Sequence, residues 1–165
     1  MQLLYLISVW IHIVAAAVWI GGAVFIALAL VPVIRHPDYR KSAAALVQII
    51  GRRFRTIGWA CLWLMAVTGI INIHYRFTWS AMSSPDFWSS PTGHVLAAKV
   101  VLFGVILILS AMHDFWLGPK ATALWKQAPD SDAARSLRRR ASWIGRINLL
   151  LGLILVALGV YLVRS

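Results

Sequence analysis

Four long apolar runs, residues 3–34, 57–75, 95–117 and 143–163, alternate with short polar connections along the chain. An α-helix crosses the hydrocarbon of a bilayer with about 17–25 apolar residues, so each run is long enough to span. The pattern predicts an all-α, polytopic membrane protein, a four-helix transmembrane bundle forming one domain over residues 1–165. The first helix is expected to reach about Pro32, with length to spare for tilting or projecting from the bilayer. His36-Pro37-Asp38 marks a break, because a residue before proline avoids the helical region, and Asp38 can cap a new helix. Residues 42–51 then lie at the membrane surface before the chain re-enters after Arg55. The pattern leaves open whether 43–50 lies flat, dips in or extends the second helix. Trp79, Phe87 and Trp88, with Pro85 and Pro91, form an outer loop whose tryptophans suit an interfacial belt. Ser90 or Thr92 caps the third helix, which is expected to end near Gly118-Pro119. Residues 129–132 start the last helix, where Gly145, Gly152 and Gly159 recur every seven residues as a stripe for close packing.

Composition agrees with this reading. The chain is 61% hydrophobic with a mean hydropathy of +0.78, against roughly 45–50% apolar residues in soluble domains. The first run is too long for a signal-peptide core and follows no basic segment, so the first span is expected to stay in the mature protein. Cys61 is the single cysteine, which excludes an intramolecular disulfide, and the lack of Cys-x-x-Cys-His excludes covalent c-type heme.

A formal net charge of +11 raises nucleic acid as a partner, but the placement of the charges argues against it. Arg35, Arg40, Lys41, Arg52, Arg53 and Arg55 lie between spans one and two. Lys120, Lys126, Arg135, Arg138, Arg139, Arg140 and Arg146 lie between or beside spans three and four, whereas the connection between spans two and three holds only Arg76. That asymmetry puts both basic connections in the cytoplasm and both termini outside, as expected in an inner (cytoplasmic) membrane. The basic face then meets anionic membrane lipids. The sequence leaves the oligomeric state open.

Ionisable side chains in hydrocarbon point to function by default. Three of the five histidines, His12, His74 and His94, fall towards the outer end of three different spans. His12 lies ~14 Å along its helix, and Lys99 stands about five residues deeper than His94. Imidazole ligates heme iron and binds copper well, and ligands on facing helices are a common way to build a site in a bundle. His12 shares its face with Ala15, Ala16, Trp19, Gly22 and Ala23, which leaves room either for a flat porphyrin or for a closely packed helix. The expected site is heme b with His12 as one axial ligand and His74 or His94 as the other. Trp19 would pack near the ring, and Lys99 or Arg76 would hold a propionate. The same three histidines would otherwise bind a copper ion. Heme implies electron transfer or a membrane oxidoreductase, with a redox protein or quinone as partner; a third reading has the histidines simply packed or facing headgroups, and Lys99 snorkelling to the interface.

His113-Asp114 sits at the inner end of the third span, ~21 Å from Lys99. It reads first as an interfacial pair and second as a further site with His36. The chain has no glutamate and no aspartate in mid-span, which weakens an ion-coupled transporter. One cysteine and four scattered methionines give no evident soft-ligand relay for Cu(I).

Several segments resemble known families. Trp10-Ile-His12 through Trp19-Ile-Gly21-Gly22 resembles the first helix of the CopD-like copper-resistance membrane proteins. Arg52-Arg53-Phe54, Trp59, Thr68-Gly69 and Asn72 resemble that family's second helix, and Lys99, His113-Asp114-Phe115 and Gly118-Pro119 extend the likeness into the third. The architecture is also similar to the HemJ-type protoporphyrinogen oxidases, small four-helix membrane proteins that bind heme b. There a first-helix histidine and a third-helix lysine are important, which implies roles for His12 and Lys99. Arg146-Ile147-Asn148 resembles the start of that family's last-helix signature, with Leu149 where the signature is acidic. The resemblance therefore implies heme binding more than that oxidation.

Overall fold

A computed structural model describes residues 2–39 and 41–164; Arg40, counted above among the basic residues of the first connection, lies outside them. Four long helices dominate: α1 (Gln2–Arg35), α2 (Ala43–Arg76), α5 (Pro91–Gln127) and α6 (Asp132–Arg164). Two short helices, α3 (Trp79–Met82) and α4 (Pro85–Ser89), form the outer connection. Each long helix is long and apolar enough to cross a membrane. Helix α1 packs chiefly on α2, and α5 on α6, with α1 also touching α6.

Pro91 opens α5, and neither interior proline of the long helices, Pro32 or Pro119, ends one. An interior proline lacks the N–H that would bond the carbonyl four residues back and clashes with it. Just before Pro32, α1 widens into a π turn, Ile26–Leu30, in which the Val31 N–H reaches back to the Ile26 carbonyl. Just before Pro119, α5 does the same over Met112–Leu117, with the Gly118 N–H on the His113 carbonyl. Each wider turn absorbs the lost bond and the chain stays helical. The third span therefore does not stop near Gly118-Pro119, as expected from sequence, but continues to Gln127. The break at His36-Pro37 is real: His36 is extended, a 3-10 turn Pro37–Tyr39 follows, and residues 43–50 extend the second helix. Ser90, not Thr92, caps α5 through the Gly93 N–H, and Ser131 accepts from the Ala134 N–H at the start of α6.

Lipid inverts the usual outside of a protein. Leu3, Leu4, Trp10, Ile13, Val101 and Val163 are all largely exposed, as expected where the solvent for the spans is itself hydrocarbon. Helix association then rests on close packing and interhelical hydrogen bonds rather than on burial from water. Trp19 is the central packing element. Its indole lies 3.5 Å from where a Cβ on Gly58 would be and 2.8 Å from one on Gly152, so glycines of α2 and α6 make its slot. The Phe54 ring likewise fills the space beside Gly22. The small residues of α1 thus serve helix packing here. Ala15, Trp19, Cys61, Leu62, Met65 and Ile106 form the core. One turn before Gly152, Asn148 Nδ2 donates to Ser110 Oγ at 2.7 Å and ties α6 to α5. Such a bond is worth about 0.6 kcal/mol on average in a membrane and up to about 1.7.

Candidate functional site

Beyond Ala43 at its start, the buried positions on α2 run Gly58, Cys61, Leu62, Met65 and Thr68, one stripe at helical spacing. The facing stripe of α1 is Ser8, Ala15 and Trp19, with half-buried His12 between them. The two meet at Thr68. Ser8 Oγ donates to the Thr68 carbonyl at 3.4 Å, and His12 Nδ1 lies 2.8 Å from Thr68 Oγ1. The Thr68 hydroxyl is itself 2.5 Å from the Leu64 carbonyl one turn back. A carbonyl can only accept, so the hydroxyl hydrogen goes there. Thr68 Oγ1 must then accept from His12, which puts the imidazole proton on Nδ1 and leaves the lone pair on Nε2.

Helices α5 and α6 complete this outer region. Lys99 reaches the helix interface where Gly159 lacks a side chain, its Nζ 3.4 Å from a Cβ position there. It is within electrostatic range of His12 and of Arg76. Arg76 Nη2 donates to the Leu162 carbonyl, so the second helix ends by capping the last turn of α6. Its guanidinium also lies 5.6 Å from the Phe77 ring centroid. Asn72, one turn beyond Thr68, keeps a buried Oδ1 with no hydrogen-bond partner among the described residues.

The structure does not gather the three candidate histidines. His74 is exposed and lies against Tyr75 and Trp79, with ring centroids at 5.7 and 5.6 Å. His94 is exposed on the first turns of α5. Among the described residues no group of three or more His, Cys, Asp or Glu side chains is placed to hold a metal. Of these three, His12 faces the bundle, with Lys99 near it, while Trp19 lies two turns deeper in the core. Sulfur was the unrecognised feature. While Met82 and Met112 lie elsewhere, Cys61 and Met65 stand one helical turn apart on the same buried face of α2, below Thr68. Their i, i+4 spacing was visible in the sequence, but only the facing of α1 and α2 links them to His12.

A second polar cluster lies at the inner end. His113 Nδ1 is 2.8 Å from Asp114 Oδ1, Trp59 Nε1 donates to Asp114 Oδ2 at 3.1 Å, and Arg55 donates to the Asp114 carbonyl at 3.0 Å. The π turn carries both His113 and Asp114. His36 is elsewhere, 3.4 Å from Asp38 on the exposed connection.

A family model described as "CopD: Copper resistance protein D" matches residues 48–162. The chain belongs to the CopD family. A CopD-family assignment accounts for the membrane spans and for the likeness noted in the second and third helices; the matched region takes in Cys61, Met65, Thr68, Lys99 and Asp114 and begins after α1. The chain is also 33% identical over 153 residues to an uncharacterized protein of Aquifex aeolicus (strain VF5), covering 92% of this chain and 90% of the relative. No solved structure matches. As a CopD-family member, the protein is a multi-pass membrane protein of a family linked to copper resistance.

Proposed function

We propose that this protein binds copper within the membrane of the cell, at the cytoplasmic membrane, with His12 as its nitrogen ligand. The observation that carries the proposal is the His12–Thr68 hydrogen bond, which fixes the tautomer so that Nε2 offers a lone pair. A metal-binding histidine usually has its other nitrogen held in this way. The Met65 thioether and Cys61 thiol, on the same α2 face deeper in the bundle, supply the soft donors that favour Cu(I). Copper in this reading is cargo, taken from the outer side, and the protein's part is to offer ligands in a dry interior.

Heme b is the second reading, and Lys99 is what favours it. A cation near His12 suits an anionic porphyrin carboxylate better than a bare copper ion. In that case His12 would be an axial ligand and Lys99 would face a propionate, with the iron supplying electron-transfer chemistry.

One experiment separates the two. Protein purified in detergent is titrated with Cu(I) under reducing conditions, and metal content and visible spectrum are read on the same samples. Copper binding predicts stoichiometric copper without a Soret band, lost in His12→Ala and weakened in Met65→Leu and Cys61→Ser. An unchanged copper content in His12→Ala would remove the proposed site. Stoichiometric iron with a Soret band, lost in both His12→Ala and Lys99→Met, would replace copper with heme.

A further inference from the structure

A groove of about 540 Å³ opens at the cytoplasmic end of the bundle, between the π turn of α5 and the first turns of α6. Its α6 wall is a single stripe at helical spacing: Ser136, Arg139, Arg140, Trp143 and Ile144. Trp116 of the π turn stands on the opposite wall. The chemistry changes along the axis. The end towards the cytoplasm is a hydroxyl and two guanidiniums; the end towards the membrane is two indoles and an aliphatic side chain. That is the order of a phospholipid, phosphate first and acyl chain after.

The two arginines are also available. Their neighbour Arg135 is paired with Asp132 at 2.8 Å, and Arg138 lies 4.4 Å over the Trp125 ring. Among the described residues Arg139 and Arg140 have no ion-pair partner, and both are exposed. Trp143 is 52% and Trp116 67% exposed, apolar surface at the level where indoles prefer the interface. Arg146, 5.5 Å from the Trp143 ring, steadies that indole from one turn deeper.

We propose that this groove is a specific site for an anionic phospholipid of the cytoplasmic leaflet. Arg139 and Arg140 hold the phosphate with Ser136, and the acyl chain lies along Trp143, Trp116 and Ile144. Two adjacent guanidiniums suit phosphate oxygens by fork geometry and keep their charge at any cellular pH. Basic recesses between spans on the cytoplasmic side are a recognised setting for such headgroups. The site is remote from His12, at the other end of the bundle, and its existence does not depend on copper or heme binding.

The test is native mass spectrometry of the full chain in a neutral detergent, with phosphatidylglycerol and phosphatidylcholine of the same acyl chains added in competition. Wild-type protein should retain one phosphatidylglycerol about tenfold in preference to phosphatidylcholine. Arg139→Gln/Arg140→Gln should lose that preference. Arg52→Gln/Arg53→Gln, which removes two charges from the same end of the bundle on α2, should keep it. Equal retention of the two lipids by wild-type protein overturns the proposal, and this arm needs no variant to fold. Equal loss in both double variants also overturns it, because the attraction would then be general charge rather than this groove. Displacement by millimolar inorganic phosphate with the lipid tail making no difference would show a free-anion site and equally reject the lipid.

Discussion

At the scale of single residues, the decisive contact is one hydrogen bond with a direction. Because the Thr68 hydroxyl donates to the Leu64 carbonyl, it can only accept from His12 Nδ1, and the nitrogen that the imidazole leaves free for a ligand, Nε2, follows from this neighbour. Thr68→Val keeps the shape and removes the acceptor. Copper affinity should fall by about 10–100-fold, the usual cost of losing such a supporting partner, while Thr68→Ser should retain most of it. Competition with a calibrated Cu(I) chelator measures this. Wild-type affinity in Thr68→Val would show that the tautomer is not what prepares His12.

At the scale of helices, glycine separates two kinds of position. A Cβ on Gly118 would meet the His113 carbonyl oxygen at 2.8 Å, inside the π turn that carries the chain past Pro119. On Gly93 it would meet the Phe87 carbonyl oxygen, where α4 folds back on α5. Backbone cannot step aside as a side chain can, so alanine at either position should cost about 1–3 kcal/mol by overpacking. Gly21 and Gly145 have nothing within 4 Å of a Cβ, and alanine there should be neutral or gain up to about 1 kcal/mol of helix propensity. Thermal unfolding in detergent should rank Gly118→Ala and Gly93→Ala well below Gly21→Ala and Gly145→Ala. A Gly118→Ala protein as stable as Gly145→Ala would mean that the π turn is not tight.

The same elements show what a sequence discloses. The four spans are legible because lipid demands apolar side chains on every outward face, which leaves long unbroken runs. The helix ends are less so. Pro32 and Pro119 read as terminators, and only the π turns explain why the chain continues. His12 stood out as an imidazole amid apolar residues, but His74 and His94 shared only its approximate depth. Depth along separate helices says nothing about which way each side chain faces. Conversely, Thr68 and Asn72 carry the family resemblance, but Cys61 and Met65 on the same stripe of α2 stand apart from background only through the packing of α1 opposite them.

At the scale of the whole molecule, the distribution of charge decides which side can deliver a ligand. The basic residues cluster near the α1–α2 and α5–α6 ends of the helices, which the charge asymmetry predicts to face the cytoplasm, while the connection of α3 and α4 carries Asp86 as its one charged residue beyond Arg76. His12, Lys99 and Arg76 then belong to the outer third of the bundle, and the arginine groove to the inner face. This orientation can be tested without any assumption about the cofactor. Native Cys61 is buried in the core, 6% exposed, so it should resist a membrane-impermeant maleimide and leave the wild-type chain as the unlabelled background. Ser83→Cys, exposed just after α3, should label in intact cells; Gln127→Cys, exposed at the end of α5, should label only after the membrane is broken. The opposite pattern would turn the molecule over. It would place His12 towards the cytoplasm, so that any copper bound there would load from inside, whereas the expected pattern opens the proposed site to the outside.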